Sequence, residues 1–384
     1  MKELNNHFKI SYFTTFDIKS YVRPIFAKLA LPNVRIFNYN EVLKYFLGKN
    51  SKSLWRINRL LGKLDNVVFR GNKALSSCFL DFVNNVLLRK VKTDVVISLN
   101  TMLASRRIWG ECKVIVDWMD VWMTSKGEMD VTDVQVVEDA DGVIFWSKPF
   151  MKLMTKLLKI KRFEYVPYGI DLINFDPIKF GSDVSFREKY FVKNKFILTY
   201  SGGFWRLKGI DLQGTDNMLE AFSKVSRRVS NVILVLQSFK IDMETLRLIK
   251  KLGIKDKILV VGYRPFNDFE RMSLFKATDV FIAPSTKHPT GYYAERMKYF
   301  QYMAAGKAVL AERSPGAESV FGNTAYYVEL SDSEAMADGI LDLYSNKDLR
   351  ENLGSEARKR VEELFEWRKL LPKYRNFIVS LISD

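Results

Sequence analysis

The segment SGGFWRLKGID (201–211) sets Gly202 and Gly203 directly behind the apolar run FILTY (196–200), with the cations Arg206 and Lys208 a few residues on. Glycines let a backbone approach a ligand closely, and a strand, a glycine turn and cations ahead of a helix form a cradle for phosphate. Gly-Gly after a strand also serves as a plain turn. A second cluster lies in GYYAERMKYFQYMAAGKAVLAERSPGAESV (291–320), where Glu295, Arg296, Lys298 and Gln301 gather near a helix start. Ala304, Ala305 and Gly306 close that helix tightly onto the strand AVLA. Polar groups so placed can meet a ligand at the C-terminal edge of a parallel sheet. The same pattern also describes an amphipathic helix with a solvated charged face. Cys78, Cys112, His7 and His288 are too few for a disulfide framework or a histidine-rich metal centre. Chemistry therefore rests on carboxylates, cations, hydroxyls and backbone.

These residues need elements to hold them. Short, apolar, β-rich runs recur at 8–13, 33–37, 94–98, 113–117, 142–146 and 163–167, and again at 196–200, 231–236, 257–261, 279–284, 308–311 and 325–328. Strands that are apolar on both faces imply a sheet covered by helices on both sides, and the helix-length spacers imply parallel βαβ units. Pro and Gly cluster in VPYGIDLINFDP (166–177), which marks a joint. The pattern predicts an α/β chain of two doubly wound, Rossmann-like domains, 1–175 and 176–365, followed by a C-terminal segment 366–384. From Asp348 onward the chain reads helical, with a kink or break expected at Pro372.

The chain has 384 residues, 47% of them hydrophobic, as in a soluble globular protein. It holds no run of 18 apolar residues, and MKELNNHFKI lacks the apolar core of a secretory signal, so a cytoplasmic location is expected. Charge is the outlier: 60 Lys and Arg against 44 Asp and Glu give +16. That excess implies an anionic partner, whether nucleic acid, a membrane surface or a phosphorylated substrate. Residues 41–92 carry eleven of the cations and three acids, half of the whole surplus. Within them, Lys44, Lys49, Lys52, Arg56, Arg59 and Lys63 interleave with Trp55 and other apolar residues. Such a segment suits an interfacial helix on anionic lipid, phosphate contacts along nucleic acid, or a helix with its apolar face in a core.

Taken in order, SGGFWRLKGID, GYRPFNDFERMSLFKATDVFIAPS (262–285) and MKYFQYMAAGKAVLA (297–311) resemble the donor-binding half of the GT-B glycosyltransferases of family 4. VPYGIDLINFDP is similar to that family's interdomain segment, ADGVIFWSKPFMKLM (140–154) to the last unit of its first domain, and EARKRVEELFEWRKL (356–370) to its closing helix, with Trp367. The resemblance covers about 140–370. Upstream it has a single echo, VIVDWMDVW (114–122).

The resemblance implies two domains facing a central cleft, with the C-terminal helix crossing back to the first domain. Lys208 matches the lysine of the pair that grips the donor diphosphate. Gly203 stands where the arginine partner normally lies, and Arg206 is its substitute. Gly262 and Tyr263 match the turn that receives the nucleobase. Residues 295–301 match the stretch that holds sugar, phosphate and ribose, which nominates Glu295, Lys298, Tyr299, Phe300 and Gln301. The family often has two glutamates eight positions apart there; this chain has Tyr293 and Gln301, with Glu295 available to take over part of the lost role. Many relatives place a histidine near the reacting carbon, about where Asp117 and Asp120 fall. An acidic pair there would orient the acceptor hydroxyl or stabilise positive charge at the sugar carbon; Asp120 suits a helix cap equally well.

The family also implies retention at the anomeric carbon, assistance from the donor phosphate, and neutralisation by Lys, Arg and helix N-termini without a metal or other cofactor. The expectation is a peripheral, inner-face membrane glycosyltransferase that takes a nucleotide-diphosphate sugar and a lipid-linked or glycan acceptor. Glycosylation of nucleic acid, or a non-catalytic binding protein with a degenerate donor site, are the alternatives. Nothing in the sequence bears on oligomeric state.

Overall fold

The computed structural model describes residues 9–14, 23–31, 33–38, 93–101 and 104–383. The whole basic block 41–92, with Lys44, Lys49, Lys52, Trp55, Arg56, Arg59 and Lys63, lies outside them.

Each of the twelve apolar runs forms a strand. In the first domain these are β1 (Ile10–Thr14), β2 (Arg35–Asn38), β3 (Val95–Leu99), β4 (Lys113–Trp118), β5 (Gly142–Phe145) and β6 (Phe163–Tyr165). In the second they are β7 (Phe196–Ser201), a hairpin of β8 (Arg206–Leu207) and β9 (Ile210–Asp211), then β10 (Val232–Ser238), β11 (Ile258–Gly262), β12 (Val280–Ala283), β13 (Ala308–Glu312) and β14 (Tyr326–Val328). The described helices of eight residues or more are α1 (Arg23–Ala30), α2 (Val131–Asp139), α3 (Lys148–Leu157), α4 (Thr215–Arg228), α5 (Met243–Leu252), α6 (Phe269–Ala277), α7 (Met297–Ala304), α8 (Ser333–Ser345), α9 (Lys347–Leu364) and α10 (Trp367–Ile382).

Both sheets are parallel throughout. Their strand orders among the described residues are β2-β1-β3-β4-β5-β6 and β11-β10-β7-β12-β13-β14. Every residue of β3, β5, β7, β12 and β13 is buried, because helices cover both faces. In the second sheet the order reverses between β7 and β12, and such a switch point opens a crevice beyond the carboxyl ends of the strands. The cluster 201–211 and the start of α7 both lie there.

The C-terminal segment departs from expectation at one place. The helix breaks at Phe365–Glu366, and Pro372 lies inside α10. The break exists because the backbone turns aside to pair with the joint: Ile170 N–H donates to Phe365 O (2.9 Å), and Trp367 N–H donates to Ile170 O (3.0 Å). Glu366 then caps the new helix through Arg368 N–H (2.9 Å). From there α10 returns to the first domain, where Trp367 and Tyr374 meet Phe26 of α1 edge-on at 5.2 and 5.3 Å.

Candidate active site

The hairpin β8–β9 turns through two residues, Lys208 (φ +50°) and Gly209 (φ +83°). Two successive left-handed residues match the twist of a tight hairpin. Lys208 therefore stands exposed at the tip, with its ammonium turned to solvent. Arg206, two residues earlier, is committed to the fold. It grips Asp216 of α4 with two nitrogens (2.8 and 2.5 Å) and reaches Asp242, which caps α5 (3.2 Å). It ties the hairpin to two helices and is not a free phosphate ligand, which corrects its expected role beside Lys208.

Gly202 does what a cradle glycine should. A Cβ there would lie 2.6 Å from Lys298 Nζ, so a side chain at this position would push that amine away from the end of β7. Lys298 Nζ lies 4.0 Å over the Tyr200 ring and donates to Gln213 Oε1 (3.2 Å). Burial, then the nearby charge of Arg296, lower its pKa well below the ordinary lysine range, with Asp211 opposing. Gly203 is covered by the indole of Trp205. Arg296 is buried, with Nη1 donating to Gln213 Oε1 (2.7 Å), Gln213 O (3.1 Å) and Pro284 O (3.2 Å), and Nη2 to Leu212 O (3.1 Å). It holds the loops around the switch point together. As the N-cap residue of α7 it makes no side-chain cap, and its carbonyl accepts from Tyr299 N–H (2.9 Å).

The rest of 295–301 divides. Gln301 is buried, and its Oε1 accepts from Arg271 Nη2 (2.6 Å). Tyr299 and Phe300 point into the core against Phe321 (4.8 Å) and Phe365 (5.1 Å), so their side chains do not reach the cleft. Glu295 is also withdrawn: it accepts from Lys148 N–H (2.9 Å), Tyr165 Oη (2.6 Å) and Ser319 Oγ (2.7 Å), joining the two domains. Burial raises its pKa to about 7 against those bonds. It does not replace the missing family glutamate. Gly262 ends β11 with open space beside it, while the Tyr263 ring is stacked on Phe239 (3.7 Å) and lies beneath the Arg271 guanidinium (5.2 Å).

In the first domain the two aspartates separate. Asp117 is sealed within β4 and accepts from Trp146 Nε1 (2.6 Å), Tyr12 Oη (3.2 Å) and Tyr374 Oη (3.2 Å). It cannot meet an acceptor, which corrects its expected role. Asp120 lies past the end of the strand, where its own N–H and that of Met119 donate to Asn100 Oδ1 (3.2 and 2.9 Å). It caps no helix, since Asp130 caps α2. Burial raises its pKa to about 6, with the Arg296 charge of the opposite domain pulling it back. The loop that follows docks across the cleft: Met123 N–H donates to Thr290 Oγ1 (3.1 Å), and His288 Nε2 to Thr124 O (2.9 Å). Sequence reasoning missed Asn100, Gln213 and Arg271, single polar residues inside otherwise unremarkable segments that no spacing betrays.

Residues 183–360 match the family model of the glycosyl transferases group 1. An uncharacterized glycosyltransferase of Methanocaldococcus jannaschii is 25% identical over 65% of this chain and 60% of its own length. The N-acetyl-alpha-D-glucosaminyl L-malate synthase of Bacillus anthracis is 25% identical over 49% of this chain and 46% of its own. The GDP-mannose-dependent alpha-(1-6)-phosphatidylinositol monomannoside mannosyltransferase of Mycobacterium tuberculosis is 26% identical over 56% and 55%. The chain thus spans about half the length of these curated relatives. Sucrose-phosphate synthase from Thermosynechococcus elongatus shares the fold with a TM-score of 0.70 at 15% identity, over 98% of this chain and 100% of that one. Anabaena HepE in complex with UDP and glucose does so with 0.71 at 15%, over 97% and 100%. Two parallel six-stranded domains around a cleft define the GT-B architecture. Within that architecture, residues 183–360 are similar to the glycosyl transferases group 1.

Proposed function

We propose that the chain moves a sugar from a nucleotide-diphosphate sugar to an acceptor hydroxyl, with retention at the anomeric carbon and without a metal. One observation carries this: Asp120 follows the C-terminal end of β4 within the electrostatic reach of Arg296, the residue that opens α7 two positions before Lys298. The bond between the anomeric carbon and the diphosphate oxygen breaks. The acceptor oxygen bonds that carbon on the same face, and its proton passes to the departing phosphate. Lys298, Lys208 and the uncapped start of α7 neutralise the leaving group. Asp120, when ionised, offsets positive charge on the sugar carbon. Gln301, held by Arg271, offers its amide to the ribose.

The acceptor is a lipid-linked or membrane-surface glycan, and the protein is peripheral to an anionic membrane. The cationic, aromatic run 41–64 supports this, as does a relative named for a phosphatidylinositol monomannoside acceptor. Among the described residues no helix is long and apolar enough to cross a membrane. Incubation of the protein with nucleotide sugars and a lipid extract should release nucleoside diphosphate and leave sugar in the organic phase. Binding to anionic vesicles should weaken as salt rises, since screening sets in over about 8 Å at physiological ionic strength. Release of nucleotide with no lipid-borne sugar, or equal binding to neutral vesicles, contradicts the acceptor.

A further inference from the structure

We infer that a second cavity between the domains binds a phosphate-bearing ligand of its own. It has a volume of about 880 Å³ and lies between α3, β6, the short helix Pro315–Phe321 and the junction of α9 with α10. None of Gly202, Lys208, Lys298 or Gln301 lines it.

Its wall is built of cations. Lys148, Lys152 and Lys156 follow at intervals of four along α3, which puts all three on one face of the helix, and Arg360 and Lys373 come from α9 and α10. Glu318 is the one carboxylate on the wall, and Arg313 holds it (2.8 Å). Lys373 is matched by Glu164 (3.0 Å), and Lys148 lies within the field of Glu295. Among the described residues Lys152 and Lys156 pair with no carboxylate. Arg360 is fixed, with Nε donating to Val320 O (2.7 Å). Like charges gathered without a counter-ion repel, and a bound anion relieves them. Phosphate esters fit this arrangement, since lysine binds phosphate as a point charge and Lys152 and Lys156 stand one turn apart on the cavity wall.

The cavity is larger than phosphate alone requires, and beside Tyr165, Tyr293 and Ser319 its remaining wall is apolar, with Leu153, Leu370 and the half-exposed Leu364. A phosphate with an organic body beside it is the matching chemistry. Its source is either a soluble phosphate ester or a lipid head group.

The test uses the full chain and two probes. One is glycerol 3-phosphate, followed by calorimetry. The other is phosphatidylcholine vesicles with or without phosphatidic acid, followed by co-sedimentation. Both are applied to the wild type, to Lys152→Gln/Lys156→Gln, and to Lys298→Met. Both lysines are exposed, so the double variant should unfold where the wild type does. At least one probe should bind the wild type, bind the double variant about tenfold more weakly, and bind Lys298→Met as it binds the wild type. A response to glycerol 3-phosphate assigns a soluble ester, and a response to phosphatidic acid alone assigns a head group. The inference is overturned if neither probe binds, if the double variant binds equally well, or if only Lys298→Met loses binding, which would place the anion in the donor cleft.

Discussion

The hydroxyl of Tyr374 lies 3.2 Å from Oδ2 of Asp117, joining the last helix to the fourth strand across 257 positions of sequence. Asp117 is closed off from water, with Trp146 and Tyr12 as its other donors, so this carboxylate holds the C-terminal helix against the first sheet. Tyr374→Phe removes a donor from a buried carboxyl group and should cost about 1–3 kcal/mol in urea unfolding. Nucleotide-sugar affinity should stay at the wild-type value. Weaker donor binding with unchanged stability would return Asp117 to the reaction site.

Arg206 and Lys208 should behave differently although they are two residues apart. Lys208→Ala deletes an exposed cation at the hairpin tip and should weaken donor binding and turnover by about 1–2 kcal/mol, with the unfolding midpoint unchanged. Arg206→Ala frees Asp216 and Asp242 and should lower stability first. Calorimetry beside thermal unfolding separates the two effects. Unchanged donor binding in Lys208→Ala removes its assignment.

Gln301 accepts from the buried Arg271 at 2.6 Å. Gln301→Glu turns that bond into an ion pair and should keep or tighten nucleotide-sugar affinity. Gln301→Leu removes the side-chain acceptor of Arg271, which keeps only Arg264 O, and should weaken both affinity and stability, each by about 1–3 kcal/mol. Three equal affinities in calorimetry would show that the ribose does not sit at Gln301.

Titration gives a signed test. Burial raises Asp120 from 3.8 to about 6, so its charge is present only above that pH. kcat/KM, which reports the free enzyme, should rise through about pH 6 and level off, and Asp120→Asn should flatten the rise. Glu295 is raised from 4.5 to about 7. Between those values the folded chain keeps a proton that the unfolded chain releases, so stability falls as pH rises through the window and is level above it. The urea midpoint of Glu295→Gln should therefore gain on that of the wild type from pH 4.5 to about 7. A difference that stays constant with pH contradicts the shift.

The strands were legible because helices cover both faces of the central strands, which makes them short, nearly all apolar runs, as in Val280–Ala283. The switch-point crevice followed from strand alternation and the glycines after β7. What sequence could not show was which polar residues the fold spends on itself. Asp117 and Asp120 are three positions apart, yet one lies within the strand under Tyr374 and the other past its end within the electrostatic reach of Arg296. Arg206 resembled a phosphate ligand until Asp216 and Asp242 came beside it. Glu295 likewise met Tyr165, 130 positions earlier, on the other domain. Such partners are set by tertiary packing, and the spacing of residues along the chain carries no trace of them.

The central claim is that a nucleotide-diphosphate sugar binds where Lys298 approaches Gly202. The most direct measurement is a thermal-unfolding panel of nucleotide sugars on the wild type and on Lys298→Met. A ligand at 100 times its dissociation constant adds roughly 2.7 kcal/mol to the folded state. At least one nucleotide sugar should raise the wild-type midpoint by the corresponding amount, and the same compound should leave Lys298→Met where it unfolds alone. A panel with no response in the wild type, or an equal response in both proteins, would contradict the account.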